Sequence, residues 1–162
     1  MSRLENLNKI VSPYRERIQE YTEILEEHFK ENLVGILIFG SVARGEARIT
    51  PGYESDIDLL VVLEKLPERF SIERMELKLK IKPVYSLEAK WVTMQELEQY
   101  LAAKTGFILD AIDEGIILYD PQNYLAVKRD EILFQLKQKG VVKNPLIGWI
   151  FPVKIGERID YS

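Results

Sequence analysis

Apolar positions along this chain fall into two kinds of pattern. Between residues 14 and 30, Tyr14, Ile18, Tyr21, Leu25 and Phe29 recur three or four apart with charged residues between them. That is the period of an amphipathic helix, and Ser12-Pro13 before it reads as an N-cap followed by proline at the first helical position. Leu33 to Phe39 is instead a short continuous apolar run, as in a strand buried on both faces, and the apolar run Ile57 to Leu63 reads as a second strand. Between them, Gly40-Ser41 is expected to start a short helix through about Ala47, and Arg48 to Glu54 to form a polar loop around Pro51-Gly52.

Further helices and strands are expected along the rest of the chain. Leu66-Pro67-Glu68 opens a helix to about Lys80, closed before Pro83 at the pre-proline position Lys82. Val84 to Val92 reads as a third strand. Thr93-Met94-Gln95-Glu96 has capping-box spacing and starts a helix to about Ala103. Phe107 to Glu114 is a short helix stopped by Gly115, and Ile116 to Tyr119 a short strand. Asn123 to Lys139 is a long amphipathic helix ended by Gly140. Trp149 to Tyr161, interrupted by Pro152 and Gly156, suggests a terminal hairpin or edge strand. The alternation predicts an α/β or α+β protein: a small mixed sheet with helices packed mainly on one side.

Composition narrows the chemistry. The 162 residues suit one domain, residues 1–162, with a motif core at 33–93 and a C-terminal helix and hairpin at 122–162. No 18-residue apolar run or signal-peptide pattern is present, so no membrane partner is expected and a cytoplasmic location is. The absence of cysteine excludes disulfides, thiolate metal sites and cysteine nucleophiles. The single histidine, His28, excludes a multi-histidine metal cluster, and a net charge of -4 argues against a broad surface for duplex nucleic acid. Carboxylates, hydroxyls, cations and backbone amides remain.

Those groups converge on Gly40-Ser41-Val42-Ala43-Arg44-Gly45 and Ser55-Asp56-Ile57-Asp58-Leu59-Leu60-Val61. Strand side chains alternate, so Asp56 and Asp58 share one face. Two like charges so placed repel unless a cation lies between them, which points to a divalent metal of the Mg2+ type with oxygen ligands. Gly40 lets a backbone approach a ligand closely, and the helix start after it, with the Ser41 hydroxyl, offers donors to phosphate. Arg44, one turn on, reaches either a phosphate or a nearby acid such as Glu46. Phosphate cradle and metal-bearing aspartates together read as a nucleotide site.

These residues resemble the minimal nucleotidyltransferase family of the polymerase-beta-like superfamily, over Leu37 to Leu63. The resemblance implies that family's fold and Mg2+-dependent transfer of a nucleoside monophosphate from an NTP, ATP by preference, to an acceptor hydroxyl. Asp56 and Asp58 would ligate two metal ions, and Gly40 and Ser41 would hold the terminal phosphates. The family's third acid precedes a Thr-x-x-Glu helix start, where this chain has Lys90. Glu88, two residues earlier on the same strand face, is the substitute candidate for ligand or base. The loop 48–54 is a few residues longer than in the minimal form. Members often pair with, or modify, a helical partner protein of the HEPN type. The alternative is a nucleotide- or partner-binding module with weak or no transfer; transfer to a small molecule such as an aminoglycoside ranks third.

Other conspicuous residues have structural readings. His28 is expected on a helix surface, and Glu23, Glu26, Glu27 and Glu31 on a solvated face. Trp91 is expected in the core, while Trp149 is left open. An apolar terminal hairpin is also a candidate subunit contact, which would make the protein a homo-oligomer.

Overall fold

The two apolar runs lie side by side at the centre of the protein. The computed structural model describes residues 4–83 and 85–152. In chain order its elements are α1 (Tyr14–Phe29), β1 (Leu33–Phe39), α2 (Gly40–Ala43), β2 (Ile49–Thr50), β3 (Tyr53–Glu54), β4 (Ile57–Leu63), α3 (Ile72–Lys80), β5 (Leu87–Thr93), α4 (Met94–Ala102), α5 (Gly106–Glu114), β6 (Ile116–Tyr119), α6 (Tyr124–Gln138), β7 (Val142–Asn144) and β8 (Gly148–Ile150). Strands β5-β4-β1-β6, in that order, form a mixed sheet. β1 runs antiparallel to both β4 and β6, and β4 runs parallel to β5.

Burial on both faces explains the continuous runs. Ile36, Ile38, Leu59 and Val61 pack with Ile18, Tyr21 and Leu25 of α1 on one face. Leu37, Leu60 and Val62 pack with Leu97, Ile108, Ile112 and Leu136 of α4, α5 and α6 on the other. Three helices thus share one face, and α1 covers its opposite. Full burial of each such aliphatic side chain contributes roughly 1.5–3 kcal/mol. Trp91 is core, in edge-to-face contact with Phe29. His28 is exposed on α1. Among the described residues no helix is long and apolar enough to cross a membrane.

Several boundaries differ from expectation. Pro13 occupies the cap of α1 rather than its first turn. The short helix after Gly40 ends at Ala43, and loop 48–54 closes on itself as the β2–β3 hairpin. α3 starts at Ile72, not near Leu66: Phe70 has φ +66, and the Ser71 hydroxyl caps the helix by accepting from the Arg74 amide. The third strand starts at Leu87; Val84 lies outside the described residues. A C-terminal hairpin is present as β7–β8, earlier than expected, with Trp149 Nε1 donating to Asp110. The part of that expectation at 153–161 lies outside the described residues.

Candidate active site

The chain leaves β1 at Phe39 and turns sharply at Gly40, whose φ of +77° is in the region that favours glycine. Phe39 pairs with Asp58, so the turn passes directly over that carboxylate. A Cβ on Gly40 would stand 2.3 Å from Asp58 Oδ2. Glycine is therefore required twice here, by backbone angle and by contact.

Asp58 is half-buried on the sheet face shared with Leu60 and Val62, while Asp56 is exposed just before β4. Ser55 anchors this start. Its buried hydroxyl accepts from the Arg48 amide at 2.9 Å, and its own amide donates to the Arg48 carbonyl at 3.0 Å. The β2–β3 hairpin is thereby closed at its base, which holds Asp56 at the mouth of the site.

Glu88 is brought in by strand pairing. β5 lies parallel to β4 with Asp58 opposite Glu88 and Leu60 opposite Lys90. Side chains directly opposite on neighbouring strands are close enough to interact. The electrostatics agree: the Asp58 carboxyl is held above its ordinary range by burial first, then by Glu88 and by Asp56. Lys90 and Arg44 act in the opposite sense. Three acids thus crowd one patch, and each disfavours ionisation of the central one.

The cations at the rim are engaged by carboxylates. Lys90 Nζ lies 3.3 Å from Glu88 Oε1 and over the Phe107 ring, 5.1 Å from its centroid. Arg44 donates from Nε to Glu46 and from Nη1 to Glu114, each at 2.9 Å. The structure therefore realises the acid-pairing reading of Arg44, and adds Glu114, which sequence reasoning missed. Ser41 is partly exposed beside Gly40, and its carbonyl accepts from the Glu46 amide.

Asp56, Asp58 and Glu88 offer only hard carboxylate oxygens, the donor chemistry of Mg2+. Mutual repulsion among these carboxylates suits a divalent cation with anionic groups around it. Among the described residues no three acids or histidines are drawn together at ligating distance. Glu88 turns toward Lys90 instead, so the donor set fits a metal held first by the two aspartates.

Residues 18–119 match the family described as nucleotidyltransferase domain. A curated protein of Methanocaldococcus jannaschii, named "putative protein adenylyltransferase", is 27% identical over 149 residues, covering 90% of each chain. Two solved structures are similar in shape. One is a toxin–antitoxin crystal structure with AMP-PNP: 18% identity, 74% of this chain and 87% of that one, TM-score 0.49. The other is a tri-AMPylated Shewanella oneidensis HEPN toxin in complex with an MNT antitoxin: 19% identity, 75% and 90% coverage, TM-score 0.44.

Proposed function

The chain belongs to the nucleotidyltransferase domain family, and from that premise we propose that it transfers AMP from ATP to a hydroxyl group of a partner protein. One observation carries the reading. The register that sets Asp58 opposite Glu88 also sets Phe39 opposite Asp58, so phosphate turn, central aspartate and third acid share one line across the sheet.

Each residue has a distinct task in this reading. The backbone at Gly40–Ser41 and the Ser41 hydroxyl receive the terminal phosphates of the nucleotide. Asp56 and Asp58 hold Mg2+. When bound, that ion neutralises phosphate charge and polarises the reacting oxygens. Glu88 leaves Lys90 to take the proton of the acceptor hydroxyl, or to complete the metal site. Freed from Glu88, the Lys90 ammonium stays near the developing negative charge. Arg44, tied to Glu46 and Glu114, supports the phosphate side by its field.

Residues 1–162 are read as one such domain. Its similarity to a protein named for adenylyl transfer to proteins supports a protein acceptor over a small molecule. A helical protein of the HEPN type is the partner class proposed from the family resemblance. The rival is a module that binds nucleotide without transferring it, favoured by the Glu88–Lys90 pair.

Calorimetry with Mg2+ and a non-hydrolysable ATP analogue tests the site. Binding is expected for the wild type and expected to be lost in Asp56→Ala and Asp58→Ala. Metal-dependent binding unchanged in both variants would refute the site assignment.

A further inference from the structure

In-line displacement at a phosphorus sets the attacking oxygen opposite the departing group. With the terminal phosphates at Gly40–Ser41, pyrophosphate departs toward β1. The acceptor oxygen must then arrive from the far side of Asp58, across β5. That strand is the edge of the sheet.

A groove of about 580 Å³ lies against this edge, between α3 and the α4–α5 side of the sheet. Arg69, Arg74, Lys78 and Lys90 line it, together with Tyr100 and Phe107. Lys90 joins it directly to Glu88. Arg74 is neutralised by a two-pronged pair with Glu96 at 2.9 Å. Arg69 and Lys78 make no salt bridge among the described residues. Arg69 lies over the rings of Phe70 and Tyr100, at 5.1 and 5.0 Å, and Lys78 donates to the Ala89 carbonyl at the sheet edge. The Lys78 pKa is lowered by burial first and then by Arg74 and Lys90, with Glu88 acting in the opposite sense. In a chain of net charge -4, this is a local positive field.

The helix beside the groove touches the rest of the fold through Leu77, Arg74 and Lys78 and leaves its outer face uncovered. None of the α3 residues is buried. Phe70, Ile72, Met75 and Leu79 are 89%, 69%, 61% and 66% exposed, and the last three recur at helical spacing. Glu73 and Glu76 are exposed on the same helix, but the groove lining itself holds four cations and no acid, so a bulky apolar stripe beside it suits an occupant that is apolar and acidic.

We propose that the α3–β5 groove is the docking surface for the acceptor protein, whose docking segment sets acidic side chains against Arg69 and Lys78 and apolar ones on Ile72, Met75 and Leu79. This rests on the transfer reading above. The docked hydroxyl oxygen forms the new bond to the α-phosphorus, and its proton passes to the Glu88 carboxylate. The bond from the α-phosphorus to the bridging oxygen breaks, its electron pair leaving with pyrophosphate.

Random Glu/Tyr and Lys/Tyr copolymers, fluorescently labelled, are suitable acidic and basic probes for anisotropy measurements with the full chain. The Glu/Tyr polymer is expected to bind and the Lys/Tyr polymer not to. Arg69→Glu and Met75→Asp are each expected to weaken binding about tenfold. Both variants are expected to keep wild-type affinity for the Mg2+-bound ATP analogue in calorimetry. Copolymer affinity insensitive to both substitutions, or a preference for the Lys/Tyr polymer, would overturn the docking proposal alone. So would α3 variants that only convert a dimer of this chain to monomer in sedimentation, which would assign the stripe to a second copy. Absence of analogue binding by the wild type would instead overturn the site reading, and the docking geometry with it.

Discussion

Gly40 and Gly45 offer a controlled pair of perturbations. Their φ angles are nearly the same, +77° and +73°, so alanine at either position carries the same backbone penalty, roughly 1–2 kcal/mol for a left-handed L-residue. Their surroundings differ. At Gly45 a new Cβ meets nothing within 4 Å, whereas at Gly40 it stands 2.3 Å from Asp58 Oδ2, against 3.4 Å for ordinary contact. The Asp58 side chain must then rotate away or the β1–α2 turn must open. An off-rotamer displacement adds about 0.5–1.5 kcal/mol. At about 2–4 °C per kcal/mol for a chain of this size, Gly45→Ala should lower Tm by roughly 2–8 °C and Gly40→Ala by a few degrees more. The decisive contrast is in binding. Calorimetry with Mg2+ and the ATP analogue should show Gly45→Ala near wild type and Gly40→Ala weakened by about tenfold or more, a loss of at least ~1.4 kcal/mol. Equal nucleotide affinity in the two variants would refute the claim that Gly40 shapes the Asp58 site.

Asp58→Asn should raise thermal stability without metal, because it removes a carboxylate whose folded pKa lies above the ordinary 3.8. The folded wild type retains that proton longer than the unfolded chain, so its stability should fall relative to Asp58→Asn as pH rises from about 3.8 through the raised folded value, and thermal scans across that window check the sign. Mg2+ titration in the same assay should stabilise the wild type and leave Asp58→Asn unmoved. Glu96→Ala should cost about 2–4 kcal/mol in urea unfolding, because Glu96 closes the Thr93 capping box and holds Arg74 through two bonds. Burial raises the Glu96 pKa, but the hydrogen bonds from Arg74 and the Thr93 amide, with the Arg74 and Arg69 charges, together bring it below the ordinary 4.5, so its share of stability should be present above 4.5 and vanish as pH falls through the folded value. Glu88→Gln should leave analogue binding within a few-fold of wild type yet reduce transfer by about 10²-fold or more, as expected when a general base is removed.

How much of this was legible before the structure depended on whether a residue's neighbours were local. Asp56, Asp58 and Gly40 were readable because strand alternation and a strand-ending glycine are local signals. The Asp58–Glu88 pairing was not, because twenty-three residues, a helix among them, separate β4 from β5 and only the assembled sheet sets their register. The family's usual spacing pointed to Lys90; in the fold Lys90 faces Leu60, one layer deeper than the acids. Arg44 illustrates the same limit, since its partner Glu114 is seventy residues away. The late start of α3 had a local cue in Ser71, a good N-cap residue three before Arg74, overshadowed by Leu66-Pro67-Glu68. The expectation of helices mainly on one side matches α4, α5 and α6, while α1 supplies the cover that the other face of the apolar strand β1 needs.

The most direct measurement is transfer of label from ATP labelled at the α-phosphate, compared with ATP labelled at the γ-phosphate, in extracts supplemented with the purified chain and Mg2+. A nucleotidyltransferase should incorporate α-label into protein, release pyrophosphate and leave γ-label unincorporated, with the signal falling to background in Asp58→Ala and Glu88→Gln. Incorporation of γ-label, or α-label transfer as strong in those variants as in the wild type, would contradict the account.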